Sequence, residues 1–561
     1  MPRLHASLIV LALTGWACGS GGGSHPPPPG NTPGNPNPTP ELAPAAGSEW
    51  YREAVFYEVF VRSFQDSNGD GKGDLRGLIS RLDYLNDGDP NTTQDLGVDA
   101  LWLMPVFDSP SYHGYDVVNY ERIEPDYGTL EDFELLCAEA HRRGMRIILD
   151  FVINHSGVDH PWFVESASSP TSAKRGWYSW RDQDPGWKQP WSQFSNTPTW
   201  HPRNGAYYYG VFWGGMPDLN LQNPELRAEV KRLAELWLSR GADGFRLDAA
   251  RYLIETGGGS GQADTPATHA FWKEFAAYVR QVKPDAVLVG ENWSTTPIVA
   301  TYYGSTKDVP GGDELPLNFN FGLSEQILAG LNGGNAAPIA AKLAEMASVY
   351  PAGVSDAPFL TNHDMVRVAT QLGGNTGKLA NAAALLLTMP GAPFLYYGEE
   401  LGLPNGTANN DEAKRTPMPW DDTAGGGFTT GTPWYSFSAG SRAGISVAAQ
   451  TSAPGSLLSR YRALIRARHA SEAMSRGGLK LLSPTQGSQA MLSFVRTLGE
   501  ERVLVVHNVT EFTASAGPFD LPGSTAEVLF ADSNVSTLSK TAGGWQASLP
   551  PRATGIWRLK P

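Results

Sequence analysis

The sequence predicts a (β/α)₈ TIM barrel with a subdomain inserted after its third strand and a C-terminal antiparallel β-sandwich domain. Three observations predict it. From Ser48 to Arg476, short runs of β-branched and aromatic residues alternate with amphipathic helical stretches, the pattern of a parallel β/α protein. Eight such units in about 430 residues fit a closed barrel with insertions better than an open doubly wound sheet. Past Gly477 the rhythm changes to short strands separated by turn residues, so a separate antiparallel domain, 477–561, follows the barrel at 48–476.

The elements follow in chain order. Arg3 and His5 precede an apolar run, Leu8–Ala17, with the length of a signal-peptide core and too short to span a bilayer. Residues 1–18 therefore read as an export signal, and the protein as secreted or lipid-anchored outside a bacterial membrane. Cleavage before Cys18 would leave a thiol for a lipid anchor. Bacterial lipoprotein signals usually carry Leu where Gly15 stands, and Gly15 with Ala17 equally suits ordinary small-x-small cleavage, so both readings stay open. Between Gly19 and Gly47, 16 of 29 residues are Gly or Pro, too many for a core, and 19–47 reads as a disordered spacer.

The barrel strands are Val55–Phe64, Ala100–Val106, Arg146–Val152, Gly244–Ala249, Val287–Glu291, Leu317–Phe321, Phe359–Thr361 and Pro393–Tyr397. Helical patterns separate them. Leu130–Arg143 carries Cys137 as an ordinary buried thiol, and Pro224–Arg240 ends at Gly241, where a capping glycine belongs. After His155 the period breaks into a Trp-, Pro- and Ser-rich stretch too long for a plain loop, read as an inserted subdomain, 156–217. In the last domain Met491–Arg496, Val503–Asn508, Glu527–Phe530 and Gly555–Leu559 read as strands.

Composition narrows the function. With 43 Lys+Arg against 57 Asp+Glu, a formal charge of −14 and no basic run, the 561-residue chain is no nucleic-acid binder. Aromatics are 11 % of residues, including 17 Trp, while charged residues are only 18 %, which points to stacking surfaces. Together with the acidic balance, that favours sugars over bases. No segment reaches 18 consecutive apolar residues, so no transmembrane helix is expected, and two cysteines are too few for a disulfide scaffold.

Barrel chemistry lies at the C-terminal ends of the strands. There the sequence places Asp150, Asn154 and His155 after the third strand, Arg246 and Asp248 at the fourth, Glu291 at the fifth, and His363 and Asp364 at the seventh. Arg246 stands two residues before Asp248, on the same strand face, where it can pair with that carboxylate and keep it ionised as a nucleophile. Glu291 follows apolar Val287–Gly290 and precedes Trp293, surroundings that raise a carboxyl pKa and suit a general acid. Any one of these could be a solvated loop carboxylate or a structural ion pair; their recurrence at successive strand ends argues for a site.

The segments Asp150-Phe-Val-Ile-Asn-His155, Gly244-Phe-Arg-Leu-Asp-Ala249, Gly290-Glu-Asn-Trp293 and Phe359-Leu-Thr-Asn-His-Asp364 resemble, in order and spacing, the four sequence regions of glycoside hydrolase family 13, the α-amylase family. Met216-Pro-Asp-Leu-Asn220 and Tyr112-His-Gly-Tyr-Asp116 resemble two further motifs of it. The resemblance implies Asp248 as nucleophile, Glu291 as general acid/base and Asp364 as the carboxylate that grips sugar hydroxyls, in a retaining hydrolysis with carboxyls about 5 to 5.5 Å apart. It implies that Arg246 orients the nucleophile, that His113, His155, His363 and Arg367 hydrogen-bond the same glucose, and that Tyr115 is its stacking platform. Asp116 matches a residue that in α-glucosidase-like members can hold the terminal sugar.

Asp66-Ser-Asn-Gly-Asp-Gly-Lys-Gly-Asp74 resembles the calcium loop of oligo-1,6-glucosidase-like members, with Asp66, Asn68, Asp70, Asp74 and the Lys72 carbonyl as ligands. Asn154 and Asp218 match part of a second α-amylase calcium site, but Arg251-Tyr252 stands where many members have Lys-His. Subtype signals are mixed. The Asp-rich loop and Asp411-Glu-Ala-Lys-Arg-Thr-Pro-Met-Pro-Trp420 lean towards oligo-1,6-glucosidases, and Met216–Asn220 with the preceding Tyr207–Gly215 leans towards neopullulanases. The combination resembles an intermediate group of mainly endo-acting α-amylases. The expectation is an exported, monomeric, calcium-binding α-amylase on starch and related α-glucans, with an exo-acting α-glucosidase, oligo-1,6-glucosidase or neopullulanase-like enzyme as the alternative.

Overall fold

The computed structural model describes residues 41–47, 49–191, 196–441, 444–482, 489–532 and 536–561. The signal reading, Cys18 and most of the spacer lie outside them. Seven parallel strands form a curled sheet. Its order runs Leu317–Asn318, Val287–Gly290, Gly244–Leu247, Arg146–Phe151, Ala100–Leu103, Phe56–Val59 and Phe394–Tyr396, the sixth to first strands and then the eighth. Two single-residue parallel bridges, Phe319 to Ala357 and Phe359 to Phe394, span the remaining gap between the sixth and eighth strands. The expected seventh strand, Phe359–Thr361, is thus reduced to bridging residues. Pro358 has no N–H for the ladder, although its carbonyl accepts the Phe394 amide at 2.9 Å.

The barrel interior is a closed aromatic and aliphatic core of Phe56, Trp102, Ile148, Val287, Val289, Leu317, Phe319, Phe359 and Phe394. Phe56 and Phe394 stack at 4.3 Å between ring centres, which ties the first strand to the eighth. Two strands end sooner than expected. The first stops at Val59 and its apolar continuation turns into the one-turn helix Val61–Phe64, because hydrophobicity alone does not separate a buried strand from a buried helix turn. The second stops at Leu103, two residues before Pro105. The helices run Leu130–Arg142 and Pro224–Ser239, the latter followed by Gly241 at φ +113°, a conformation that favours glycine. Cys137 is buried on the first of them.

The inserted stretch folds into a helix, Pro161–Ser168, and a three-stranded antiparallel sheet of Trp180–Arg181, Ala206–Tyr209 and Trp200–Arg203. An antiparallel bridge from His155 to Asp218 pins its two ends together at the barrel rim. The last domain packs a six-stranded sheet on a three-stranded one, Ala514–Phe519, Gly544–Leu549 and Thr537–Thr541, with Leu504, Phe519, Trp545 and Trp557 between them. The edge strand of the larger sheet is Glu41–Leu42, antiparallel to Leu479–Lys480. The spacer reading is corrected there: the end of the Gly/Pro-rich segment is strand, because an exposed sheet edge offers backbone partners that composition does not foresee. Buried Arg496 donates to the Thr388 carbonyl at the end of the helix Thr376–Thr388 and so joins the last domain to the barrel, while Arg468, from within the barrel, donates to the neighbouring Leu387 and Met389 carbonyls.

Candidate active site

The ladder register sets Arg246 of the fourth strand opposite Asp150 of the third, both pointing to the mouth of the barrel. One guanidinium then serves three strand ends. Arg246 Nη1 donates to both Asp150 oxygens, at 2.9 and 3.0 Å, and to Asp248 Oδ1 at 2.7 Å. Its Nη2 lies 2.9 Å from Glu291 Oε2. That same Glu291 oxygen accepts the Ala249 amide at 2.9 Å. Ala249 adopts φ +50°, unusual for a residue with a side chain, and this turn after Asp248 aims the amide across to the fifth strand.

Burial drives the carboxyls upward. It pushes Asp248 up to about 6 despite Arg246, with Asp150 and Asp364 adding repulsion. Glu291 is raised by burial and by the Asp248 and Asp364 charges, against Arg246. Asp364 goes the opposite way. Although burial would raise it, His363 Nε2 at 3.1 Å and Arg415 Nη2 at 3.0 Å hold it far below the usual carboxylate range. Burial thus shifts both Asp248 and Glu291 towards the protonated form, against the Arg246 charge, while Asp364 beside them is held ionised.

The Tyr115 hydroxyl donates to Asp150 at 3.0 Å, and the Tyr115 ring stacks on His363 at 5.4 Å. His155 Nε2 donates to the Tyr115 carbonyl at 3.2 Å, and burial lowers its pKa to about 3, so it is neutral. His113 is likewise neutral, lowered to about 4 by burial, and its Nδ1 accepts the Tyr115 amide at 3.1 Å. Asp116 accepts from the Ser109 hydroxyl at 2.7 Å and from Ser111, so its carboxylate is tied into its own loop. The structure therefore gathers Tyr115, Arg246, Asp248, Glu291, His363 and Asp364 at one mouth, with His113, Asp116 and His155 shaping the loop behind Tyr115.

Arg367 stands differently. Its guanidinium lies over the Tyr396 and Tyr397 rings and donates to the Lys414 and Tyr397 carbonyls, both at 2.7 Å. The arginine on Asp364 is Arg415, which also donates to the Tyr112 hydroxyl at 3.1 Å. Sequence reasoning did not single out Arg415, although it lies inside Asp411–Trp420. It also passed over Glu58, whose signal was a carboxylate inside an apolar strand. Of the inserted subdomain's tryptophans, Trp177 and Trp200 are buried, Trp180 packs on Phe163 and Trp187 on Trp200. Trp191 remains exposed, together with Trp213 and Trp293.

The Asp66–Asp74 loop closes on its own amides. Asp66 accepts from Asn68, Gly69 and Gly71, Asn68 accepts the Asp70 amide, and Asp74 accepts from Ser67 and Gly77, with Gly69 and Gly71 at positive φ. All its donors are oxygens, the chemistry a hard cation prefers. Its aspartates do not converge, and among the described residues no three His, Cys, Asp or Glu side chains gather to hold a metal. At the second position Asn154 Nδ2 donates to Asp218 at 3.3 Å, while Asp218 also takes the Val211 amide. Asn154 Oδ1 is buried with no partner among the described residues, but no three acidic, cysteine or histidine side chains gather there, so the pair forms no complete cage.

An α-amylase catalytic-domain profile matches residues 58–477. Alpha-amylase 3 of Dictyoglomus thermophilum is 40 % identical over 465 residues, 82 % of this chain and 85 % of that protein. An oligo-1,6-glucosidase of Heyndrickxia coagulans is 32 % identical, with 88 % and 98 % covered. The crystal structure of an α-amylase from H. orenii superposes with a TM-score of 0.79 at 35 % identity, covering 91 % of this chain and all of that one. With the carboxyl arrangement at the barrel mouth, these likenesses place the chain in the α-amylase family, glycoside hydrolase family 13, and make it a glycosidase.

Proposed function

We propose that this glycosidase is an endo-acting α-amylase that hydrolyses α-1,4 bonds in starch and related α-glucans with retention. The observation that carries the reading is the Arg246 fork, which holds Asp248 and Glu291 side by side. Asp248, ionised above about pH 6, attacks the anomeric carbon while Glu291 protonates the leaving oxygen. Glu291 then deprotonates a water that releases the glycosyl-enzyme, and Asp364 and His363 grip the hydroxyls of the distorted sugar. Exposed Trp191 and Trp213 on the inserted subdomain and Trp293 beyond Glu291 support an open groove rather than a closed pocket.

Calcium in the Asp66–Asp74 loop belongs to the same reading, with Asp66, Asn68, Asp70, Asp74 and the Lys72 carbonyl as ligands and a structural role, and it requires the three aspartates to turn from the loop amides they accept from towards a common centre. Export, with Cys18 as a lipid site or a small-x-small cleavage in its place, fits a substrate too large to enter a cell, and a monomer suffices for the site. The test is a product time course on maltotriose, pullulan and panose. Cleavage of maltotriose with intact panose supports the reading; rapid hydrolysis of panose to glucose and maltose would replace it with oligo-1,6-glucosidase activity, which the Asp411–Trp420 segment resembles.

A further inference from the structure

Glu58 lies in the first barrel strand, 2 % exposed, and its Oε1 is 2.6 Å from His363 Nδ1. On the far side of the ring, Nε2 faces Asp364 Oδ2 at 3.1 Å and the Tyr115 hydroxyl oxygen at 2.6 Å. The Tyr115 hydroxyl has Asp150 Oδ2 to donate to at 3.0 Å, which leaves its oxygen able to accept from His363. Each ring nitrogen faces a carboxylate, Glu58 at Nδ1 and Asp364 at Nε2, so a neutral imidazole would set a lone pair against an anion on one side. Hydrogen on both nitrogens satisfies both carboxylates.

The groups around this pair come from several elements: Asp364 beside the ring, Tyr115 and the Trp102 ring from the second strand and its loop, and Asp150 from the third strand. Arg415 donates to the His363 carbonyl, Arg246 acts through Asp150 and Tyr115, and Tyr396 and Glu399 of the eighth strand and its loop lie within reach of the Glu58 charge. Burial alone would strip the ring of its second proton. Asp364 and Glu58 outweigh burial and lift His363 to about 9.

We propose that Glu58 is a positioning residue for the reaction: through Nδ1 it fixes His363 as a doubly protonated donor, so that His363 and Asp364 meet the sugar as a charged donor–acceptor pair. This rests on the reading of Asp248, Glu291 and Asp364 as the reacting and gripping carboxyls. Glutamine at position 58 keeps the volume and removes the charge, which separates the electrostatic role from packing.

The experiment measures kcat/KM against pH on maltotriose for the parent, E58Q, H363N and the double variant, and follows the ring nitrogens of His363 by ¹⁵N NMR, assigned by their loss in H363N. In E58Q the alkaline limb should move about two pH units towards acid, with about tenfold lower kcat/KM at pH 8 and a smaller loss at pH 6. At pH 8 the ring should read as imidazolium in the parent and neutral in E58Q. In the H363N background E58Q should add less than about threefold. An unmoved limb with an unchanged ring, or a full additive loss in H363N, overturns the proposal, as does a neutral ring in the parent at pH 8, which needs no variant at position 58 to fold. Failure of the carboxyl reading shows elsewhere: an active D248N enzyme would sink the nucleophile while leaving the NMR result for Glu58 and His363 standing.

Discussion

Asp248 carries two consequences that one substitution separates. Asp248→Asn should fold and lose roughly 10⁴-fold or more in kcat, because neither water nor an amide replaces the attacking carboxylate; Glu291→Gln should do the same on substrates with poor leaving groups. Folded variants keeping more than a few per cent of turnover would refute these roles. The second consequence is in stability. Burial pushes Asp248 up to about 6, above its unfolded value near 4, so its contribution is intact below pH 4 and is lost as pH rises towards 6. The advantage of D248N over the parent in urea melts should grow from pH 4 to 6 and level off above, at on the order of 3 kcal/mol. A flat difference across that window would mean that Arg246 compensates the buried charge in full. The same shift sets the activity profile: kcat/KM should fall below about pH 6 as Asp248 takes up its proton.

At the scale of elements, the strand ends were readable and the strand lengths were not. Asp150, Arg246, Asp248, Glu291, His363 and Asp364 follow apolar runs, and a charge at the end of such a run has few explanations other than a site. Glu58 has the same chemistry but lies inside its run, where the pattern reads it as a blemish in a strand. Arg415 was hidden because its partner Asp364 is 51 residues away and only the closed barrel brings the two together. Arg367 shows the reverse: the family resemblance implied a sugar contact, and tertiary packing turned its Nε and Nη1 to backbone carbonyls. The Asp66–Asp74 loop was recognisable from its alternating oxygens and glycines, and it carries a prediction of its own. A cation bound only by the folded loop stabilises by roughly 2.7 kcal/mol at a hundredfold excess over Kd, so EDTA should lower the melting temperature measurably. Asp70→Ala should remove most of that chelator response without lowering activity in proportion. Identical responses of parent and variant to EDTA would place any cation outside this loop.

For the whole molecule, the question is how the barrel mouth meets a polymer. The inserted subdomain is held to the barrel by the His155–Asp218 bridge and by its own buried core of Trp200, Tyr209 and Val211. It therefore forms a fixed wall at the barrel rim, against Tyr252. On that wall Trp191, 43 % exposed, packs against Phe212 and Tyr252, while Trp213 is 41 % exposed. Beyond Glu291, Trp293 is 38 % exposed and stacks on Phe321 at 4.4 Å, which fixes its ring plane. Rigid aromatic faces near the scissile position suit glucose units of a chain running through the site, and each stacked ring avoids the entropy cost of ordering a flexible contact. Asp116, the residue that could cap a terminal sugar, accepts from Ser109 and Ser111 through Oδ1. On the proposed endo-acting reading, starch should lose its iodine colour while few reducing ends have formed, with maltose and longer oligosaccharides preceding glucose. Trp293→Ala should weaken action on starch by about tenfold or more and on maltotriose much less, because only the longer chain reaches beyond the leaving-group position. Glucose as the sole early product with the iodine colour intact would show that the groove is closed at one end, and the exo-acting reading would take its place.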